Sequence, residues 1–251
     1  MKKIALATTV LSMLFAAGAA SAADLAARPY TKAPPPVLAP IYNWTGFYIG
    51  VNGGYGTSHK CWDNVGFVGV PLVALSEGCH DSDGGTVGGQ IGYRWQASNW
   101  VFGLEAQGNW ADFSGSNNSL VFPGLYNRTR IDAFGFFTGQ IGYSWNNALL
   151  YVKGGAAAVH DKYTSGPIGT GLVTASADET RWGGVVGVGF EYGFAPNWSF
   201  GVEYDHAFLG RRDITLNQVV APFPVESIRQ DLDVVTARIN YRFGGPVVAK
   251  Y

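Results

Sequence analysis

Gly88-Gly89-Gln90-Ile91-Gly92-Tyr93-Arg94-Trp95 recurs as Thr138-Gly139-Gln140-Ile141-Gly142-Tyr143-Ser144-Trp145, an offset of 50 residues. A looser third copy, Gly187-Val188-Gly189-Phe190-Glu191-Tyr192-Gly193-Phe194, follows about 50 residues further on. The alternation within each copy has the period of a strand, not of a helix. Each copy passes through a tight polar break (96–99, Asn146-Asn147, Ala195-Pro196-Asn197) and enters another alternating run. Each unit therefore reads as a β-hairpin. A propeller blade has a similar period but holds four short strands, where this repeat holds two long ones.

Outward from these copies, eight strands are predicted: Trp44–Tyr55, Thr86–Trp95, Trp100–Trp110, Arg130–Trp145, Leu149–His160, Arg181–Phe194, Trp198–Phe208 and Leu232–Phe243. Short turns alternate with long, polar, glycine-rich loops near 56–85, 111–129, 161–180 and 209–231. One parity of every strand is apolar and free of charge, as in Phe47, Ile49 and Val51 or Phe200, Val202 and Tyr204. The opposite parity carries Tyr48, Asn52, Gln90, Gln107, Asn109, Thr138, Gln140 and Asn240. It also holds the positive Arg94, Arg130, Lys153, Arg181, Arg238 and Arg242 and the negative Glu105, Asp132, Glu191, Glu203 and Asp205.

Alternation alone does not say which face looks inward. The strand ends do. Tyr93, Trp95, Trp100, Tyr143, Trp145, Tyr192, Phe194, Trp198, Tyr241 and Phe243 flank the short turns, and Tyr55, Trp110, Trp182 and Phe208 flank the long loops. Two aromatic girdles bounding a charge-free band mark membrane interfaces, whereas a soluble sandwich would scatter its aromatics along the strands. Composition agrees: only 14% of residues are charged and 14% are aromatic, too little charge for a wholly solvated surface. The predicted fold class is all-β: an eight-stranded antiparallel up-and-down transmembrane β-barrel over residues 44–243. In so narrow a barrel side chains fill the interior. The inward charges are expected to form a paired lumen network, with Glu105, Glu191 and Glu203 bridging to Arg94, Arg181 and Arg238.

The N-terminal segment gives an address. Lys2 and Lys3 precede an apolar run, Ile4 to Ala17, and an Ala20-Ser21-Ala22 site, which together read as a cleaved signal peptide over residues 1–22. Residues 23–43 contain Pro29, Pro34, Pro35, Pro36 and Pro40 and read as an extended periplasmic leader. Residues 244–251 form a C-terminal tail. Loss of Lys2 and Lys3 shifts the net charge from −1 to −3, which does not suit nucleic-acid binding. The expected location is the cell outer membrane of a Gram-negative bacterium. Expected partners are outer-membrane lipid and lipopolysaccharide, the barrel assembly machinery, and peptidoglycan or host surfaces.

No catalytic constellation emerges, so the chain is read as a non-enzyme without a cofactor. The glycine runs do not sit between a strand and a helix as a nucleotide site requires. His206 lies on the apolar parity, but Asp205-His206-Ala207-Phe208 supplies no nucleophile, and an interfacial histidine explains it. Cys61 and Cys79 sit in the first long loop; in an oxidising periplasm the default is a disulfide. The alternative adds His59 and His80 to make a four-ligand zinc site.

Several stretches carry a resemblance: Asn43-Trp44-Thr45-Gly46-Phe47-Tyr48-Ile49-Gly50, the Gln-Ile-Gly-Tyr copies, Leu150-Tyr151-Val152-Lys153-Gly154-Gly155 and Asn240-Tyr241-Arg242-Phe243. They resemble the outer-membrane immunogenic protein family, small porin-like eight-stranded barrels of host-associated Gram-negative bacteria, over essentially the whole chain. The resemblance implies a structural, surface-exposed antigen that supports envelope integrity and contact with host or environment. The alternatives it brings are a narrow porin for small solutes and a haem- or ligand-binding surface protein. The chain departs from the family in continuing past Phe243, where such proteins often end on the last strand's aromatic.

Overall fold

A computed structural model describes residues 42–218 and 222–244. The expected signal peptide, the expected leader up to residue 41 and the residues beyond 244 lie outside the described residues. The strands are β1 (Gly46–Phe67), β2 (Val70–Ala97), β3 (Trp100–Asn118), β4 (Leu125–Trp145), β5 (Ala148–Pro167), β6 (Ala175–Ala195), β7 (Trp198–Thr215), β8 (Asn217–Gln218) and β9 (Pro224–Arg242). Every neighbouring pair is antiparallel. The ring closes where β1 meets β9 and β5 meets β6, so eight long strands form a barrel. The two-residue β8 lies outside the ring and pairs only with β6.

The alternating repeat folds as hairpins because each polar break is a two-residue turn. Ala97 pairs with Trp100, Trp145 with Ala148 and Ala195 with Trp198. Ser98 and Asn146 take positive φ, the left-handed conformation that tight hairpin turns demand. Outside, the apolar parity is exposed all round: Ile49, Leu104, Ile141, Val152, Val188, Val202 and Val235 cover the barrel's waist. Trp100 and Trp110 bound this belt on β3. Ten residues at ~3.4 Å rise, tilted ~40°, give a height of ~25 Å, the apolar band of an outer-membrane barrel.

At the end away from the short turns the structure corrects the predicted strand limits. The long loops are mostly strand. β1 and β2 run past Tyr55 to a two-residue turn at Val68-Gly69. That extension is about 12 residues, roughly 40 Å along the strand. The alternation fades there because the outward face meets water instead of lipid, and the inward face of β1 mixes polar Ser58, Lys60 and Asn64 with apolar Trp62. Bulges also break the period. Asp132 is an extra residue of β4 against β5, and Leu209 one of β7 against β9. Trp44 lies before β1, not within it.

The interior is layered. A polar and charged layer occupies the short-turn half. Above it lies an apolar layer of Phe113, Phe134, Phe136, Val185, Leu209, Leu232 and Val234, all on the inward parity. The polar and charged residues that parity assigns to the lumen fill only its short-turn half; toward the outer half the inward positions turn apolar. A second apolar cluster, including Trp62, Tyr163, Ile214 and Ile228, fills the projecting region.

With eight ring strands and short turns on the inner side, both chain ends of the barrel are expected in the periplasm. A cysteine placed at Thr170, in the exposed β5–β6 turn, is expected to label on intact cells, and one at Ser98 only after permeabilisation. The reverse pattern would invert the barrel.

Candidate functional site

The lumen holds a cluster of buried charged side chains, on the inward parity of strands that a closed ring brings within reach of one another. At its centre Arg238 Nη1 lies 2.8 Å from Glu105 Oε2, and Arg238 Nη2 pairs with Glu203. Lys153 Nζ is 2.6 Å from Glu203, 3.2 Å from Asp205 and 3.5 Å from Glu105. The Tyr48 hydroxyl donates to Glu105 at 2.7 Å and the Tyr151 hydroxyl to Glu203 at 2.6 Å. One layer nearer the short turns, Arg94 Nη2 is 2.8 Å from Glu191 Oε2, a close ion pair though poorly aligned as a hydrogen bond. Glu191 also accepts from Asn240 at 2.9 Å and from Ser199. The Arg94 guanidinium lies 4.5 Å from the Tyr48 ring centroid, within cation–π range. All these charged side chains are buried. Carboxylates and cations taken from water at such depth are tolerable only when paired and hydrogen-bonded.

The other charges assigned to the network lie elsewhere. Arg242 sits at the short-turn mouth, donating to the Thr45 and Pro196 carbonyls at 3.1 and 3.0 Å. Arg181 is buried but bridges to no carboxylate among the described residues. It donates to the carbonyls of Gly210 and Ile228 at 2.9 and 3.0 Å, beside the Leu209 bulge. Arg130 and Asp132 face outward, because the bulge at Asp132 reverses the parity of β4. Arg130 pairs with Asp112 at 2.9 Å and Asp132 with Lys162 at 2.7 Å, on the outer surface.

Two elements were not apparent from sequence. The first is a stopper at the short-turn mouth: Tyr42 and Trp44 enter the lumen with ring centroids 4.5 Å apart, the Trp44 amide donating to Gln96 at 3.0 Å. The Tyr42 ring occupies space that any side chain at Gly193 would need. The second is Lys60 paired with Asp161 at 2.6 Å, both fully buried, in the projecting region read as loop. The pattern Ser58-x-Lys60-x-Trp62-x-Asn64 was its one trace.

Cys61 and Cys79 are register partners on β1 and β2 and form a disulfide. It joins adjacent strands, not a flexible loop. The four-residue set is not brought together: His59 stays beside Cys61 and Cys79, while His80 points inward to Asn117 and Thr129 at 2.9 and 3.1 Å. His206 stands at the outer edge of the belt, 2.6 Å from Asp233.

Glu203→Ala is expected to leave Lys153 and Arg238 underpaired and to cost ~3–5 kcal/mol of barrel stability, read as a lower unfolding midpoint in urea titrations from lipid vesicles. Burial holds the His80 imidazole down to about 4. The folded state thus prefers the neutral ring. The resulting stability is complete above the unfolded value near 6.5 and is lost as pH falls toward 4, about 3 kcal/mol at most. Amide exchange in the β1–β2 extension is expected to quicken over that window, and His80→Gln to flatten the change.

The geometry agrees with known proteins. Residues 7–243 match the family model described as outer membrane protein beta-barrel domain. The chain is 31% identical to the 31 kDa outer-membrane immunogenic proteins of Brucella melitensis and Brucella suis, over 97% of this chain and 100% of theirs. The outer membrane protein OprG of Pseudomonas aeruginosa superposes with a TM-score of 0.55 at 13% identity, over 81% of this chain and 99% of that one, a likeness of fold. Girdled belt, closed ring, family match and full-length relatives together place the chain in the outer-membrane β-barrel family, as an outer-membrane protein of the Gram-negative type related to surface immunogenic proteins.

Proposed function

We propose that the protein is a non-catalytic structural element of the outer membrane, a closed barrel that supports envelope integrity and presents its projecting hairpins to host or environment. The observation that carries this reading is the filling of the lumen at successive levels. The Arg238–Glu105–Glu203–Lys153 cluster occupies one level, and Phe113, Ile131 and Leu232, none exposed, occupy the next. A water-filled pore needs a wider ring, whereas eight strands leave room only for side chains. The surrounding lipid and lipopolysaccharide contact the apolar belt, and the assembly machinery that inserts the barrel meets its strands before closure. The projecting hairpins extend well past the outer girdle, the reach that surface contact requires.

In planar bilayers the purified protein is expected to show no stable channel. Steady conductance of the size given by wide trimeric porins would overturn the closed-barrel reading and support the narrow-porin alternative.

A further inference from the structure

Two carboxylates at the rim of the projecting region, Glu77 and Glu226, are buried without an ion pair among the described residues. Glu77 is an extra residue of β2 opposite Trp62 and Asp63 of β1. Gly78 beside it takes φ +104, and the bulge turns the Glu77 side chain inward. Glu226 lies inward on β9, in register with Asn64. Each residue is only 2% exposed. Asn127 donates to Glu77 Oε2, and Asn64 donates to Glu226 Oε1 at 2.8 Å. Among the described residues, the remaining oxygens, Glu77 Oε1 and Glu226 Oε2, have no hydrogen-bond partner. Both residues line a cavity of about 230 Å³ whose other walls include Phe67, Phe122, Leu125 and Leu216. Among the described residues that line it there is no Lys, Arg or His. The buried cation Lys60 is engaged by Asp161.

An unpartnered buried carboxylate oxygen costs stability. Two such carboxylates beside one cavity, apolar at Phe67, Phe122, Leu125 and Leu216 and polar at Ser165, Thr174 and Gln218, make a negative site that a positive charge would satisfy. The apolar walls call for a ligand with a hydrocarbon body, and a cavity of ~150 Å³ already admits benzene. A hard divalent ion suits the site poorly. It wants six or more oxygens, whereas the two asparagines turn their NH₂ groups toward the carboxylates. We propose that this rim cavity binds a small organic cation, a primary amine on an apolar or aromatic body, with its ammonium group between Glu77 and Glu226.

The site's electrostatics give a second signature. Burial, together with the nearby Glu77 carboxylate, pushes the Glu226 carboxyl up to about 8. The charged groups near it are Glu77 on β2 and Asp63 on β1, the latter held by Arg211 at 2.8 Å. β7 presents Ile214 opposite, and β4 presents Asn127. An ammonium ion draws Glu226 into its charged form, so binding releases a proton at neutral pH and tightens as pH rises toward 8.

The test is calorimetric titration of the purified, folded full barrel in detergent micelles with phenethylamine, and in parallel with the isosteric neutral phenethyl alcohol, which measures micelle partitioning and apolar burial alone. We expect saturable one-to-one amine binding at least tenfold tighter than alcohol binding. Proton release should appear as a dependence of the heat on buffer ionisation enthalpy at pH 7. Glu77→Gln and Glu226→Gln should each weaken the amine at least tenfold while leaving alcohol binding and the heat-dependent gel shift of the folded barrel unchanged. Equal affinity for amine and alcohol, or full amine affinity in both Gln variants, would overturn the proposal. Stoichiometric displacement of the amine by millimolar Ca²⁺ would overturn it in favour of a metal site.

Discussion

Hydrocarbon offers a peptide group nothing to bond to, and this constraint organises the molecule. An unpaired N–H or C=O at membrane depth costs several kcal/mol, so a sheet that crosses lipid must close on itself. Here the closure is made by β1 on β9 and by β5 on β6. It fixes the sidedness of every residue, because alternate side chains then face either lipid or a lumen too narrow for bulk water. The outward face answers with the belt between two aromatic girdles. The inward face must satisfy its own polar groups or replace them with apolar ones, and it does both, at different heights.

In the inner half the answer is pairing. Arg94 meets Glu191, Arg238 and Lys153 share Glu105 and Glu203, and Lys153 also meets Asp205, with Tyr48, Tyr151, Asn240 and Ser199 taking up lone pairs. In the outer half the answer is an aromatic and aliphatic layer built from Phe113, Phe134 and Phe136. Above it the strands continue into water, where the ladder no longer needs lipid to enforce it. There the sheet is held by the Cys61–Cys79 disulfide, the buried Lys60–Asp161 pair and the Trp62–Tyr163 cluster. Buried polar groups are thus concentrated at levels where every strand contributes to the lumen, a layout suited to rigidity and to a plugged interior.

The fold was legible because two periods coincide in the sequence. The Gln-Ile-Gly-Tyr copies give the hairpin repeat, and the girdle residues Trp95, Trp100, Trp145 and Trp198 give the membrane edge. The inward positions of Arg94, Glu105, Lys153, Glu191, Glu203 and Arg238 follow from parity within the belt, where lipid on one side keeps the alternation strict. Legibility ended at the girdle. Beyond Tyr55 water replaces lipid, outward residues are no longer obliged to be apolar, and strand becomes indistinguishable from loop by composition. Single inserted residues did the rest. Asp132 and Leu209 reverse parity, sending Arg130 outward and giving Arg181 backbone carbonyls in place of a carboxylate. Glu77 was hidden for the same reason: only the bulge beside Gly78 turns it inward. A bulge leaves little trace in a single sequence, because it adds one residue without changing composition.

The central claim is that the lumen is a paired, closed interior and not a lined channel. It is tested most directly by a double-mutant cycle on Arg94 and Glu191, with urea unfolding from vesicles as the readout. Arg94→Met and Glu191→Met alone each strand a buried charge and are expected to cost ~3–5 kcal/mol. The double replacement removes both charges together and should cost far less than the sum, giving a coupling of ~2 kcal/mol or more. Additive losses, with each single change costing under ~1 kcal/mol as it would for charges bathed in water, would contradict the account and open the barrel to solvent.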